Sequence, residues 1–305
     1  MNPRNYIIAA VAFLAAHAAV LAVWGHDQPG PVISSFLQMA MGTVLLVSTV
    51  SAARNAGGTF ERRFLLLVAA RYIIFMVAQG IATYHEREAG WVFEGSLPDV
   101  LFHLEDVPLG IAFFLDPGRG GDRPARPHPL DLFQILVFWA AMFLYVRYLS
   151  SDAPLGVGLG AGTAALVAGC YYLRSLTSRS SVASAMFGRW TAAIMLSSVN
   201  DAYSGYYNSV AGAAFDLVWS FENLVWIVTT ATWRPMLVLQ GTGPQRIADR
   251  TVYLLPVVVA CFSLVLSLGL AQRQPGQAAL LVAAALGCSV VRLVGRRRAA
   301  RTVRG

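Results

Sequence analysis

The stretch that decides the fold runs from Arg189 to Pro235 and reads RWTAAIMLSSVNDAYSGYYNSVAGAAFDLVWSFENLVWIVTTATWRP. An earlier stretch, Arg71 to Pro117, repeats its order of features. In both, an arginine and an aromatic residue open an apolar run, a polar loop with glycine follows, and an aspartate then precedes an aromatic residue by three positions and a glutamate by six. The offset of about 118 residues is too long for a solenoid and suits a duplicated helical half. We predict an internal parallel duplication of a four-helix unit.

Composition indicates a membrane protein. Hydrophobic residues make up 56% of the chain and charged residues 13%, whereas soluble domains are roughly one-quarter charged. All 23 basic residues are arginine. Because topology accounts for their distribution, we expect the lipid bilayer and not nucleic acid as the partner of this charge. The fold class predicted is therefore all-α and polytopic.

Ten apolar segments are long enough to cross about 30 Å of hydrocarbon, which takes roughly 17–25 helical residues. The fourth and the eighth carry acids near their starts. The first resembles a signal peptide, but its apolar run is too long and nine more segments follow, so we expect it to be retained. The predicted spans lie near 6–24, 33–53, 64–83, 97–115, 131–149, 156–173, 184–203, 213–233, 251–271 and 277–294.

Arginine segregation predicts the orientation. With both termini cytoplasmic, 19 arginines fall on the inner side and three, Arg87, Arg147 and Arg273, on the outer side, while Arg71 lies within a span. This is the bias that the positive-inside rule requires. We expect a multi-pass protein of the cell inner membrane. The predicted units are residues 1–130 (first four-helix unit), 131–235 (second), 236–295 (two further spans) and 296–305 (basic cytoplasmic tail).

The candidate site is a polar stripe at the outer end of the fourth span. Asp99, His103 and Asp106 have offsets of zero, four and seven, which place them on one helical face. The second copy puts Asp216, Ser220 and Asn223 at the same offsets. Exposing such a stripe to lipid is costly, so it should face the bundle interior or an aqueous vestibule. Glu105 and Glu222 lie on a neighbouring face, and Asp201 lies near the outer end of the seventh span; we count all of these acids, with His103 and Asn223, as ligand-binding candidates.

Other interpretations of the stripe stay open. Ser96 and Asp99 fit a capping box, and an acid in the first turn suits the helix dipole, so these acids could merely start and pack helices. A metal or haem site is the third alternative, with His17 facing His103, but two isolated histidines lack ligand spacing. We predict no metal and no cofactor.

Arg71 and Arg189 each enter a span from the inner side. Their side chains could extend back to the lipid phosphates. Alternatively, each could form a buried ion pair with an acid of its own unit. The sequence leaves both interpretations open and marks the two arginines as structural ion-pair candidates.

Sequence motifs of catalysis are missing. The chain has no P-loop, no H-E-x-x-H and no G-x-S-x-G motif, and no predicted cytoplasmic loop is long enough to fold a catalytic domain. We therefore expect no catalytic residues and do not expect an enzyme.

Three segments carry a resemblance. They are Arg189-Trp190 with Asp201, Tyr203 and Asp216–Trp219; the echo Pro98–Phe102; and the helix start LDLFQILV at 130–137. Together they resemble the multi-spanning N-terminal input domain of bacterial GGDEF diguanylate cyclases and sensor histidine kinases, over most of residues 30–235. The resemblance implies a cytoplasmic output domain or protein, either beyond Gly305 or on another chain.

The leading hypothesis is a sensory membrane module that detects a stimulus or small ligand at its outer, periplasmic face and relays it inward. We expect a homodimer. A small-molecule transporter is the main alternative, since duplicated halves suit it, but no pair of spans shows matching Gly/Pro breaks. A membrane-embedded enzyme or a subunit of a larger complex is the third class.

Overall fold

Helices account for all of the regular secondary structure that the computed structural model describes. The description covers residues 2–25, 27, 29–85, 96–115, 129–149, 154–178, 180–207, 214–234 and 259–302, with the backbone alone at 146, 149, 154–164, 201–207 and 293–302. The helices are α1 (Pro3–Val23), α2 (Gly30–Arg54), α3 (Thr59–His85), α4 (Leu97–Leu104), α5 (Val107–Phe113), α6 (Pro129–Leu149), α7 (Pro154–Thr177), α8 (Ser181–Tyr207), α9 (Asp216–Ala231), α10 (Val259–Leu270) and α11 (Pro275–Thr302).

Five of the described helices are long and apolar enough to cross a membrane: α1, α2, α3, α8 as far as Asn200, and α11 as far as Arg292. Two shorter apolar helices cover Pro129–Tyr145 and Val259–Leu270. The prediction of an all-α fold with apolar spans is confirmed at this level. The loops at 86–95 and 116–128, the junction at residue 235 and the first residues of the ninth predicted span lie outside the described residues.

Short connections fix the order of the first three helices. The α1–α2 turn uses Gly25 at φ +51°, a left-handed conformation that glycine adopts without steric cost. Gly30 opens α2 so close to this turn that an added Cβ would lie 2.4 Å from the Gly25 carbonyl oxygen. At the start of α3, Glu61 accepts a hydrogen bond of 3.0 Å from the Gly58 N–H, which satisfies one of the free donors of the first turn. Each of these two connections, between α1 and α2 and between α2 and α3, is therefore short.

The fourth predicted span is two short helices rather than one. Glu105 and Asp106 form the turn between α4 and α5, and both keep backbone angles near the α region. Pro108 lies at the start of α5. A proline has no N–H to bond the carbonyl four residues earlier and its ring crowds that carbonyl, so the hydrogen bond to Leu104 is lost and the span is kinked.

Helix α9 lies at the centre of the bundle. It packs against α1, α2 and α8, while α3 packs against α2, α4, α5 and α8. The large core joins these helices and contains an aromatic cluster: Phe60, Phe64, Phe113, Tyr171, Phe187 and Trp190. A second, smaller core joins α6 to α10 and α11.

Helix α6 connects the two cores. It contacts α4, α5 and α7 as well as α11. At Gly110 of α5 an added Cβ would lie 3.1 Å from Ile135 of α6, and at Gly269 it would lie 2.6 Å from the Tyr145 ring. Asp131, at the start of α6, forms an ion pair with Arg292 of α11. The α6 helix is thus in close contact with the kinked span and with the last helix.

Candidate functional site

A buried arginine occupies the kink. Arg71 of α3 has a side chain only 7% exposed, and its Nη2 lies 2.8 Å from Glu105 Oε1 while its Nε lies 2.9 Å from Asp106 Oδ1. Its guanidinium carbon also lies 5.1 Å from the centroid of the Tyr72 ring and 5.0 Å from that of Trp226 on α9. We call these five residues the Arg71 cluster. The structure therefore agrees with the second interpretation of Arg71, a buried ion pair, and the acids are Glu105 and Asp106.

Arg189 has different partners. Its guanidinium donates to the backbone oxygen and the hydroxyl of Thr232, just beyond the end of α9. Arg71 lies twelve residues beyond Thr59 at the start of α3, whereas Arg189 lies eight residues beyond Ser181 at the start of α8. Arg189 is therefore about one helical turn nearer the start of its helix, which directs it to the end of α9.

The outer part of the predicted stripe is half-buried. His103 Nδ1 lies 2.9 Å from the Asp99 backbone oxygen and 3.4 Å from its carboxylate, and its ring contacts Phe143 of α6 at 5.3 Å between centroids. Asp106, on the same face, is 32% exposed. Ser96 precedes α4 but makes no capping hydrogen bond through its side chain. The stripe thus packs between α3 and α6 and extends down to Arg71.

A different network lies at the start of α9 and joins it to α1 and α2. His17 of α1 lies 2.7 Å from Ser220 Oγ through Nδ1 and 2.8 Å from Ser34 Oγ through Nε2. Ser34 in turn donates to Asp216 Oδ2 at 2.7 Å. Because Ser34 uses its only proton on the carboxylate, it must accept from His17 Nε2–H, and Nδ1 of a neutral imidazole then accepts from Ser220. We call these four buried residues the His17 network; His17 contacts Ser220, not His103.

Glu222 is fully enclosed by α8 and α9. Its Oε1 lies 2.5 Å from Ser197 Oγ and its Oε2 accepts from Asn200 Nδ2 at 2.7 Å. The Trp226 indole N–H also reaches Ser197 Oγ, at 3.3 Å. Neutral donors therefore surround this carboxyl group, while Trp226 links it to Arg71.

The structure brings some of the predicted site residues together and not others. Arg71, Glu105 and Asp106 form one cluster, with Asp99 and His103 paired beside it. On α9, Asp216 and Glu222 have separate partners, and Asn223 is buried. The side chain of Asp201 lies outside the described residues.

Sequence analysis did not identify five important residues, namely Tyr72, Trp226, Ser34, Ser197 and Asn200. Tyr72 and Trp226 stand in apolar runs, and isolated serines in such runs give no signal of their partners. The one usable signal was His17, a lone histidine in an apolar span.

The polar groups described above are buried or half-buried acids, a guanidinium, hydroxyls and an imidazole. Among the described residues no three or more His, Cys, Asp or Glu side chains are placed to hold a metal ion. Acids, one guanidinium and hydroxyls can store a proton or a charge and shift hydrogen bonds between helices.

Comparison of the chain with protein families, with curated proteins and with solved structures finds no match in any of the three. The fold and the two polar groups therefore carry the functional argument by themselves.

Proposed function

We propose that the chain is a sensory membrane module whose moving element is the kinked span α4–α5. It detects a stimulus or small ligand at the outer stripe Asp99–His103–Asp106 and relays it to a cytoplasmic output domain or protein. The observation that carries the proposal is a continuous line of contacts from this stripe to the last helix. Since buried packing is bistable rather than continuously deformable, a small shift at the kink can be amplified along such a line.

The contacts run in three steps. His103 packs on Phe143 of α6, and Gly110 brings α5 within contact of Ile135. The Asp131–Arg292 ion pair then joins α6 to α11. Helix α11 continues past Arg292 to Thr302 as one unbroken helix, a geometry that suits continuation into a signalling helix.

The same proposal includes ten crossings, two duplicated units, an inner-membrane location with cytoplasmic termini, a homodimer and no catalytic activity of its own. Support for the duplication comes from contacts in which helices of one proposed unit pack on the acidic span of the other. Helices α1 and α2 pack on α9, and in the same way α6 packs on α4–α5 and α7 packs on α5. The contact His17–Ser220 corresponds to the contact Phe143–His103. His17 precedes Phe143 by 126 positions, as Pro3 at the start of α1 precedes Pro129 at the start of α6. His103 precedes Ser220 by 117 positions, as Asp99 precedes Asp216.

A second pair of contacts follows the same relation. Ser48 bonds Thr230 at 2.9 Å, and the Tyr171 ring stacks on Phe113 at 6.0 Å. Ser48 and Tyr171 are 123 positions apart, as are the ends of α2 and α7, while Phe113 and Thr230 are 117 apart. Arg71 and Arg189 do not follow this relation, since they differ by a turn within their helices.

Topology is tested with reporter fusions. A reporter placed after Gly305 or within 119–127 should be cytoplasmic, and one near Glu88 should be periplasmic, because arginine marks the inner side. A periplasmic C-terminus would contradict the ten-span arrangement.

Signalling is tested by joining a diguanylate cyclase catalytic domain after Gly305 and measuring cyclic di-GMP in cells. Gly110→Val should change the output about tenfold, because overpacking against Ile135 costs about 1–3 kcal/mol. Gly169→Val is the matched control, since nothing lies within 4 Å of a Cβ at that helical glycine. Equal output from both variants would contradict the proposed route.

A transporter is the second candidate, and the kink itself favours it. Broken spans with polar groups at the break form solute sites in many transporters. Here only one unit has the break, because α9 is continuous through Glu222. Solute or ion flux in proteoliposomes that depends on Asp106, without any change in cyclase output, would favour transport over sensing.

A further inference from the structure

We propose that Glu222 is a proton-binding site and carries a bound proton in the folded, membrane-embedded protein. Its carboxyl group is buried in α9, and the groups that hold it are a hydroxyl and an amide rather than a cation. This proposal stands whether the chain transmits a signal or moves a solute.

The hydrogen bonds of Ser197 fit a protonated Glu222. A serine hydroxyl has one proton to donate and two lone pairs. If Glu222 donates its proton to Ser197 Oγ, Ser197 can still donate to the Ala193 backbone oxygen at 3.3 Å and accept from the Trp226 indole at 3.3 Å. Every group in this arrangement then has a partner.

An ionised Glu222 can also be accommodated, with Ser197 as the donor. The Ser197 hydroxyl then donates its proton to the Glu222 carboxylate instead of to the Ala193 backbone oxygen. The Ala193 oxygen keeps only its hydrogen bond within the helix. Because serine can reverse its donor role without moving, the site can release and regain a proton with little rearrangement. That reversibility is what a proton-binding site needs.

Charge balance points the same way. Arg71 carries the one positive charge of its cluster and already contacts two carboxylates, those of Glu105 and Asp106. A third ionised acid nearby would leave two uncompensated negative charges in a medium where each is costly. A proton on Glu222 reduces that excess.

Charged and titratable side chains of neighbouring helices lie around Glu222. Arg71 and Asp106 interact with it electrostatically. The described titratable or charged side chains on the elements packed around this part of α9 are Arg71 and Tyr72 (α3), Glu105 and Asp106 (α4–α5 turn), His17 (α1) and Asp216 (α9), with neutral Ser197 and Asn200 on α8.

Tyr72 supplies an independent mark of this site. Its hydroxyl is buried and has no hydrogen-bond partner among the described residues, yet it interacts with Arg71, Glu222, Glu105 and Asp106. A buried hydroxyl without a partner is costly, and this one lies close enough to Glu222 to interact with it electrostatically.

The test is infrared difference spectroscopy on the full chain in lipid nanodiscs, titrated between about pH 5 and about pH 9, the range in which buried carboxyl groups change state. We expect a protonated-carboxyl band at neutral pH that is lost in Glu222→Gln and shifted in Ser197→Ala. Glu105→Gln is the matched control and should keep the band, because Arg71 holds Glu105 ionised.

Thermal unfolding is the second measurement. Glutamine mimics a protonated glutamate, so Glu222→Gln should unfold at or above the wild-type temperature, whereas Glu105→Gln should unfold below it. A band that survives Glu222→Gln, or that disappears in Asp106→Asn instead, would overturn the proposal. So would a Glu222→Gln variant that unfolds as early as Glu105→Gln.

Discussion

The kinked span α4–α5 and the central helix α9 share one sequence pattern but have different environments. Both begin with an aspartate that precedes a glutamate by six positions. In α4–α5 the acids Glu105 and Asp106 meet an arginine, whereas in α9 the acids Asp216 and Glu222 meet hydroxyl and amide groups. One pattern has therefore produced one pair of acids that contacts an arginine and another pair that is held by hydroxyl and amide groups.

Differences at two positions, Pro108 and Arg71, account for the different environments of the acids. Pro108 kinks the first span, and Val225, 117 positions later, leaves α9 continuous. Arg71 lies deep enough in α3 to reach the kink, while Arg189 is one turn nearer the start of α8 and reaches Thr232. A shift of one turn in a single arginine thus accompanies the difference between acids that form ion pairs and acids that contact only neutral hydrogen-bonding groups.

The largest effect is expected for Arg71→Met. Removing the cation leaves two acids inside the protein, and breaking a buried pair from one side costs about 3–5 kcal/mol. Arg189→Met loses hydrogen bonds to one threonine and should cost about 1 kcal/mol. Unfolding in detergent micelles, followed by far-ultraviolet circular dichroism, compares the two.

Equal losses for the two arginine variants would show that the ion pairs of Arg71 stabilise the protein no more than the hydrogen bonds of Arg189 do. A stable Arg71→Met protein would mean that the two acids take up protons when their partner is gone. That result would bring α4–α5 closer to α9 in chemistry.

The second prediction concerns the His17 network. Ser34→Ala removes a donor to Asp216 and an acceptor for His17, and leaving buried polar groups without a partner costs about 1–3 kcal/mol. Thr43→Ala is the control on the same helix: its hydroxyl bonds only the Met39 carbonyl within the turn, so its effect should stay within about 0.5 kcal/mol. Similar losses for both would show that the network contributes nothing beyond local helix bonds.

Sequence analysis anticipated the apolar helices better than the polar contacts. The predicted spans 6–24 and 33–53 correspond to Pro3–Val23 and Gly30–Arg54, because hydrophobic length alone identifies such segments. The kink at Glu105 and Asp106 was missed, although Pro108 was its visible cause. A proline interrupts the helix within one turn of its own position, so this boundary could have been predicted from the local sequence.

The site was predictable only as one face of a helix. The spacing of Asp99, His103 and Asp106 gave their common face, but it could not show that Asp106 would meet Arg71. Partner choice depends on which helices become neighbours, and the placement of His17 beside Ser220 is a contact over 203 positions. No periodicity within one segment contains that information.

The third prediction tests the link between α6 and the last helix. Asp131→Asn and Arg292→Gln should each cost roughly 1 kcal/mol, and the double variant should cost less than their sum by about 0.5 kcal/mol or more, since the two groups form one ion pair. Chemical unfolding of the four proteins gives this coupling. Additive losses would show that the pair does not join the helices energetically.

The smallest effect on stability is expected for Pro108→Ala. An unconstrained helix would favour alanine by about 3 kcal/mol, but Arg71 holds both acids of the turn and Gly110 packs closely against Ile135. These opposing terms should leave a net change in the free energy of unfolding below about 1 kcal/mol.

The shape of α4–α5 should nevertheless respond to Pro108→Ala, because residue 108 regains an N–H for the Leu104 carbonyl. Spin labels at Leu97 and Phe114 should move apart by a few ångströms if proline sets the kink. An unchanged distance in Pro108→Ala, together with a longer one in Arg71→Met, would assign the kink to the ion pairs, and α4–α5 would then differ from α9 through its arginine alone.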